Sequence, residues 1–327
     1  MTMSPTQTAF NHVVAFEVSK HELVVHELPG DTQCSIANEL KAVRRLLRAK
    51  IKEHRSHLDT LLVVCEATGG YERHVLEACV ELGLACHKAH GTRVRHFARY
   101  LGLIAKTDPI DARVLALYGL KTEGLRLYQP PSAEESALKE LQARRNDLIV
   151  MLNAEGNRLE HARQASVVRG LKAHIVSLRK TLKVLEAEIA ALVRKNEGFA
   201  RKVRLMRSLK GVGPVTAVTV LTGMPELGTL AKGEAACLAG LAPINRDSGK
   251  SSGPRHIEAG RAAVRRCLYM AALVALQCNP VIKAFAASLR ARGKPFKVII
   301  TAVMRKLLII LNGILRTGEP WKNAKTA

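Results

Sequence analysis

Short apolar runs rich in β-branched residues alternate with helical patterns through residues 1–128, and this alternation restricts the fold more than any other feature. His12–Val18 and Leu23–Leu28 are predicted strands, separated by four polar residues. Leu61–Cys65 is a continuous apolar run, which is typical of a strand buried on both faces.

Helical spacing of apolar residues fills the segments around these strands. It predicts one helix from Ser35 to about Arg55 and a second over Tyr71–Leu82. A further strand is predicted over Leu84–Lys88, and a further helix begins at Asp108. Strands and helices in this order indicate an α/β domain, which we place at residues 1–128.

A Pro-rich linker at 129–132 separates this domain from a long helical region. Residues 133–197 are almost free of Pro and Gly, and their Leu and Ile residues recur at three-four spacing. This pattern predicts two long helices folded as an antiparallel hairpin near Ala165–Gly170. The pair is interpreted either as ordinary bundle helices or as an intermolecular coiled coil. Residues 198–327 are predicted to form a mostly helical third domain.

Positive charge is concentrated in that third domain. The chain carries 51 Lys and Arg against 28 Asp and Glu, and residues 199–327 alone contain 22 basic and 5 acidic groups. Such a field attracts a polyanion, and nucleic acid is the expected partner. The sequence has no run of 18 uncharged apolar residues, so a membrane-spanning protein is not expected. The low aromatic content of 4% argues against base stacking on single strands as the main activity.

Cysteine usage indicates a reducing compartment. The seven cysteines are odd in number, form no CxxC pair and mostly lie within apolar patterns. We therefore expect a cytoplasmic protein with buried, reduced thiols.

Four carboxylates mark the ends of elements in the α/β domain. Glu17 and Glu66 each close a predicted strand, and Asp108 and Asp111 stand three apart at the start of a predicted helix. Carboxylate oxygens suit Mg²⁺, and one or two such ions support phosphodiester chemistry. Taken alone, the aspartates fit helix capping better, with Asp108 as N-cap, Pro109 at the first helical position and Asp111 near the positive helix end.

A helix–hairpin–helix pattern begins the third domain at residues 205–217. Gly211 and Gly213 can expose backbone N–H groups to a phosphate, beside the basic side chains of Arg207 and Lys210. The alternative is an αα-hairpin used only for packing.

A loop rich in Gly, Pro and Ser follows at residues 240–255. It contains Ser248, and a serine hydroxyl becomes a nucleophile when a base, a metal or a dense positive field assists it. From spacing alone, a simple turn around Ser248 is the favoured interpretation. Six basic residues surround the loop: Arg246, Lys250, Arg255, Arg261, Arg265 and Arg266.

Several separated motifs together resemble the DEDD-type transposases of the insertion-sequence one-ten family, which are bridge-RNA-guided serine recombinases. The motifs are Glu66–Tyr71, Lys106–Ala112, the helix–hairpin–helix and the loop at 240–266, in the family's order across residues 12–316. The resemblance implies a RuvC-like domain of ribonuclease H fold, a helical linker and a transposase domain with a catalytic serine. It also implies a homo-oligomer in which acidic and serine sites of different protomers meet, and a noncoding RNA that pairs with target and donor DNA.

Carried over by position, the family's acidic quartet falls on Glu17, Glu66, Asp108 and Asp111, and its nucleophile on Ser248, with Ser251 and Ser252 as alternatives. The implied cofactor is Mg²⁺, with Mn²⁺ as the other candidate. The family usually has Asp in the first strand, so Glu17 adds one methylene and changes the metal geometry.

The resemblance implies an RNA-guided DNA transposase, associated with the nucleoid in the cytoplasm, that works through a phosphoserine intermediate. Two other functions fit the residues. One is a metal-dependent junction-resolving nuclease of the same fold, and the other is a non-catalytic DNA-binding protein built on the helix–hairpin–helix.

Overall fold

The computed structural model describes residues 10–103, 105, 107–245, 247–248, 251–253 and 255–322, with only the backbone described at 247, 248, 251 and 252. The chain forms two compact units, residues 1–130 and residues 131–327. The predicted linker at 129–132 contains the division between them. The helices predicted for residues 133–197 lie in the second unit.

The first unit contains a five-stranded mixed sheet in the order β3-β2-β1-β4-β5. Strand β2 forms antiparallel ladders with both β1 and β3, whereas β1, β4 and β5 are parallel to one another. The strands are β1 (His12–Val18), β2 (Glu22–Leu28), β3 (Thr32–Ala37), β4 (Leu61–Glu66) and β5 (Ala85–Ala89).

Helices cover both faces of this sheet. Alternate residues of each strand face opposite sides, so Phe16 and Val63 lie in a core with α1 and α2, whereas Ala15 and Val64 lie in a core with α3 and α4. A 3₁₀ turn at Leu58–Thr60 precedes β4. The helices are α1 (Leu40–Glu53), α2 (Arg73–Leu82), α3 (Gly91–Tyr100) and α4 (Asp108–Lys121). The predicted α/β class is confirmed, and this arrangement is compatible with the expected ribonuclease H-like fold.

Two elements of this unit differ from the prediction. Residues 35–37, predicted to begin a helix, belong to β3, where Ser35 pairs with Val24 and Ile36 with Leu23. Pairing with the neighbouring strand outweighs the helical spacing there, and the helix begins at Leu40. Helix α3 was not predicted. Its two buried residues, Val94 and Ala98, form only one short apolar stripe among basic residues.

The second unit begins with two long helices, α5 (Ala133–His161) and α6 (Ala165–Lys195), which pack against each other. A capping box of Ser132 and Glu135 starts α5. The predicted position of the turn is wrong: the helices are joined at residues 162–164, and Gly170 lies inside α6. The turn contains neither Gly nor Pro, so the composition gave no signal for it.

Six further helices form the core of the second unit around residues such as Met206, Leu268 and Leu307, none of which is exposed. The helices are α7 (Glu197–Arg207), α8 (Pro214–Gly223), α9 (Lys232–Leu238), α10 (Ala262–Cys278), α11 (Pro280–Ala291) and α12 (Phe296–Thr317). Four two-residue strands lie between α9 and α10: β6 (Pro243–Ile244), β7 (Asp247–Ser248), β8 (Ser251–Ser252) and β9 (His256–Ile257).

By length and composition alone, α12 could cross a membrane, and α10 with α11 would qualify as a span bent by 96°. Half of the apolar window of α12 is nevertheless buried inside the unit, where Val303, Leu307 and Leu311 are fully enclosed. This burial is typical of a core helix in a helical domain.

The cysteines are less uniformly buried than predicted. Cys65, Cys79 and Cys86 lie in the core between the sheet and α2, but Cys34, Cys237 and Cys278 are exposed. Cys34 is on the edge strand β3, and Cys237 and Cys278 lie at the ends of α9 and α10. All seven are free thiols.

Candidate active site

Glu17 and Glu66 lie side by side at the carboxyl ends of neighbouring parallel strands. The ladder of β1 and β4 pairs Ala15 with Val64 and Phe16 with Cys65, so Glu17 and Glu66 occupy the next register position. Aligned residues of parallel strands point to the same face. Both glutamates are half-buried and face the layer formed by α3 and α4.

The start of α3 packs against the carboxylate of Glu66. A Cβ atom on Gly91, the first residue of α3, would collide with Oε1 of Glu66. Glycine at this position therefore lets the carboxylate lie against the helix start. The positive end of the helix dipole favours an anionic group there.

Glu17, Glu66 and Asp111 line one cleft of about 430 Å³. Asp111 lies in the first turn of α4, and its side chain is 14% exposed. Asp108 is exposed at the beginning of the same helix and does not line this cleft. The structure thus brings together three of the four predicted carboxylates. The remaining lining residues come mainly from α3: Gly91, Thr92, Val94, Arg95, His96, Ala98 and Arg99, with Val114 from α4.

The predicted capping of α4 is wrong by one residue. Thr107 is the N-cap, and its side-chain oxygen accepts a hydrogen bond from the Ile110 N–H at 3.5 Å. Asp108 is therefore the first helical residue and Pro109 the second. A hydroxyl takes the capping role that the sequence analysis assigned to the Asp108 carboxylate, so capping does not account for that aspartate.

The three acidic residues of the cleft suit a hard divalent cation, because each of them offers carboxylate oxygens. The three side chains are not packed into a tight group, however. Among the described residues, one group of three His, Cys, Asp or Glu side chains has its ligand atoms within 4.8 Å of one another: Glu27, Glu53 and His54. In that group Lys50 forms ion pairs with both glutamates, and His54 contacts Glu27 at 2.8 Å, so the lysine already offsets part of the negative charge.

Glu72 organises the loop that follows Glu66. Its carboxylate is buried, accepts hydrogen bonds from the N–H groups of Thr68 and Gly70 at 3.2 Å and 2.8 Å, and forms an ion pair with Lys88. Burial alone would raise the pKa of Glu72, but the bonds from Lys88 and from backbone N–H groups outweigh it and lower the pKa to about 2. Nothing in the sequence pattern around Glu72 indicates this role.

We expect Glu72→Gln to destabilise residues 67–90 by about 2–3 kcal/mol at pH 7, because it removes a buried charged acceptor from Lys88 and from the N–H groups of Thr68 and Gly70. The folded pKa lies below the ordinary value of 4.5. The carboxylate therefore contributes its full stabilisation above pH 4.5 and loses it as the pH falls toward 2. Amide hydrogen exchange of this segment in the full-length chain measures the effect. The difference between wild type and variant should shrink at pH 3, and a difference that is the same at pH 3 and pH 7 would contradict this assignment.

The predicted helix–hairpin–helix residues lie on α7, on α8 and on the segment that joins them. Arg207 and Lys210 are exposed, and Gly213 is the exposed N-cap of α8. Gly211 is partly covered by α10: its φ is 106°, and a Cβ there would lie 2.6 Å from Cβ of Ala275. Asn279 donates a hydrogen bond to the Lys210 carbonyl at 3.1 Å and holds the same turn. Gly211 thus has a packing role, and a contact of these residues with nucleic acid stays a prediction.

Two glycines of this turn form a matched pair for a stability test. We expect Gly211→Ala to destabilise the second unit by about 2–4 kcal/mol, because alanine combines an unfavourable φ with a steric collision. Gly213 has a φ of −84° and nothing within 4 Å of an added Cβ, so Gly213→Ala should change stability by less than about 0.5 kcal/mol. Hydrogen exchange over residues 203–224 distinguishes the two. Equal effects would contradict the packing role.

In the described part of the serine loop, four two-residue strands form two antiparallel pairs, and these strands are the serine arm. Its outer strands pair Ser248 with Ser251 and Asp247 with Ser252, and the inner strands β6 and β9 pair below them. Arg255 is exposed beside β9. Arg246 and Lys250 lie outside the described residues.

Two of the predicted nucleic-acid ligands support the base of this arm, and their contact with nucleic acid stays a prediction. Arg261 donates two hydrogen bonds to Glu226, both at 2.7 Å, and one to the Gly223 carbonyl at 2.7 Å. Arg265 donates to the carbonyls of Ala239 and Ala259, on the two sides of the arm. Both arginines are half-buried, whereas Arg266 is exposed. The described contacts give Arg261 and Arg265 a structural role.

Two transposase family models match separate segments of the chain. The DEDD transposase domain of IS110 matches residues 16–165, which include the cleft, and the description "Transposase IS116/IS110/IS902 family" matches residues 203–287, which include the serine arm.

Curated relatives agree with these matches. The pilin gene-inverting protein of Moraxella bovis is 28% identical over 275 residues, covering 83% of this chain and 85% of the relative. A 42 kDa protein of insertion element IS900 from Mycobacterium paratuberculosis is 29% identical over 219 residues, covering 61% of this chain and 53% of the relative. A 43.6 kDa protein of insertion element IS110 from Streptomyces coelicolor is 28% identical over 168 residues, covering 49% and 39%. The order of the family matches, the acidic cleft and these relatives together place the chain in the IS110 family of transposases, enzymes that recombine DNA.

Proposed function

We propose that this transposase cuts and rejoins DNA through a covalent phosphoserine on Ser248, with a divalent metal held by the carboxylates of the acidic cleft. The observation that carries the metal site is the meeting of Glu17, Glu66 and Asp111 from two strands and a helix at one cleft. Asp108, one helical turn before Asp111, would complete the set. A bound Mg²⁺ or Mn²⁺ would stabilise the charge that develops on the phosphate during transfer.

The transfer is a transesterification at phosphorus. The Ser248 hydroxyl gives up its proton, and its oxygen bonds to the phosphorus while one deoxyribose oxygen leaves and takes a proton. A hydroxyl of the recipient strand then attacks the phosphoserine, forms the new phosphodiester and restores Ser248. The number of phosphodiester bonds is conserved, so the reaction needs neither an energy source nor a redox partner.

Basic residues of the second unit are proposed to hold double-stranded DNA and the element's guide RNA. The segment from residue 199 to the end carries a net charge of +17 out of +23, and Arg207, Lys210 and Arg255 are exposed on it. A guide RNA would supply the sequence specificity that contacts to phosphates lack. The working form would be a homo-oligomer acting on nucleoid DNA in the cytoplasm.

The experiment is a plasmid recombination assay in which the gene is supplied with its native flanking DNA, and junctions are counted by sequencing. The proposal predicts precise junctions that require both the acidic cleft and Ser248. Hydrolytic cutting that continues after every replacement of Ser248, Ser251 and Ser252 would instead indicate a nuclease that uses water. DNA binding with no strand breakage in wild type would indicate a non-catalytic protein.

A further inference from the structure

The acidic cleft has a second, basic side that the carboxylates do not explain. Helix α3 contributes Arg95 and Arg99 to the lining of the same cleft. These residues are four apart and therefore lie on one face of the helix. A site that only held a cation would not gain from two neighbouring guanidinium groups, because like charges repel.

Arg95 is close to the carboxylate cluster without being buried in it. Its Nη1 atom lies 3.8 Å from Oδ1 of Asp111, which is too long for a direct hydrogen bond. The Arg95 side chain is 34% exposed, compared with 14% for Asp111. A guanidinium has five N–H groups, so Arg95 can attract Asp111 and still offer donors to a ligand in the cleft.

The combination of the two sides matches a metal-bound phosphodiester. Carboxylates bind the cation, and guanidinium groups bind the non-bridging phosphate oxygens, often with two parallel hydrogen bonds. We propose that Arg95 and Arg99 bind the scissile phosphate of the DNA strand in the acidic cleft. This inference rests on the proposed function, and it assigns the phosphate contact to the first unit instead of to the strongly basic second unit.

The test compares Arg95→Gln, Arg99→Gln and the double variant with Arg93→Gln. Arg93 lies on the same helix and is exposed, but it does not line the cleft. In the plasmid recombination assay we expect about a 10-fold loss for each single variant and at least about a 100-fold loss for the double variant. Arg93→Gln should stay within twofold of wild type. Arg95→Lys should recover only part of the activity, because an ammonium cannot make two parallel bonds.

Metal affinity separates phosphate binding from support of the carboxylates. Titration of the full-length protein with Mn²⁺ should give a dissociation constant for both glutamine variants that is equal to or lower than that of wild type, because each variant removes a positive charge near the cation. If Arg95→Gln weakens Mn²⁺ binding more than tenfold, the arginine serves Asp111 and the proposal is wrong.

A DNA substrate with an uncharged group at the cut position provides a second test. In a duplex of the native element end, a methylphosphonate at the cut position replaces one charged oxygen by a methyl group. The recombination rate of wild type should fall on this duplex. The rate of the double variant, which is already low, should fall little further, because the variant and the modified substrate remove the same contact. If the loss caused by the methylphosphonate is as large in the double variant as in wild type, the two changes act independently and the proposal is wrong.

The controls keep this inference distinct from the proposed function. Equal recombination by wild type and Glu66→Gln would refute the proposed function itself. If Glu66→Gln is inactive while the double arginine variant behaves like Arg93→Gln, the proposed function stands and the phosphate assignment fails.

Discussion

Glu66→Gln is expected to lower recombination by at least about 1000-fold while leaving the fold intact. The carboxylate lies at the end of β4, beside Glu17 in the register of two parallel strands and against the start of α3. Glutamine has the same shape but offers a neutral, weaker metal ligand. The loss should therefore appear in both Mn²⁺ affinity and recombination, and not in thermal stability.

Glu123→Gln is the matched control, since Glu123 is exposed near the end of α4 and does not line the cleft. It should recombine like wild type. Glu17→Asp provides a further comparison, because it gives the shorter side chain that the resemblance implies at this position. Retention of normal Mn²⁺ binding and recombination by Glu66→Gln would remove the cleft from the mechanism.

Ser248→Ala is expected to abolish recombination, with a loss of about 10,000-fold or more, because no other group in the proposed mechanism forms the covalent bond to phosphorus. The backbone of Ser248 pairs with Ser251 at the outer end of the serine arm. DNA binding should remain, since the exposed basic residues are unchanged. Plasmid recombination measures the first effect and a salt-dependent binding titration measures the second.

Ser251→Ala and Ser252→Ala are the controls for this prediction. They change neighbouring hydroxyls of the same arm, and we expect recombination to stay within about tenfold of wild type. If one of these variants is inactive and Ser248→Ala is active, the nucleophile has been assigned to the wrong serine.

Much of the first unit could be read from its sequence because β1 and β4 are strongly apolar and each has a glutamate at or next to its last residue. Glu17 and Glu66 were identified as strand ends, and the structure places them side by side. The register that aligns them is a tertiary property of β1 and β4, which neither strand reveals alone. Residues 35–37 were misread because Ser35 and Ile36 fit a helix start as well as an edge strand.

The features that escaped the sequence analysis depend on distant partners. Helix α3 follows β5 closely and has only a short apolar stripe, although Arg95 and Arg99 four residues apart were a readable sign of a basic helix face. Arg261 was counted with the nucleic-acid ligands, but Glu226, 35 positions earlier, accepts two hydrogen bonds from it. The sequence around Glu72 is that of an ordinary surface glutamate. Its role depends on the fold of the loop, in which the N–H groups of Thr68 and Gly70 donate hydrogen bonds to its carboxylate.

The most direct test of the central claim is the capture and mapping of a protein–DNA adduct. Wild type and variants would be incubated with Mg²⁺, guide RNA transcribed from the native flanking DNA and a nicked suicide duplex, and the denatured product digested for mass spectrometry. We predict a nucleotide linked to Ser248 in wild type, and no adduct in Ser248→Ala, in Glu66→Gln or after chelation of the metal. Efficient strand exchange with no linkage to Ser248 would contradict the account.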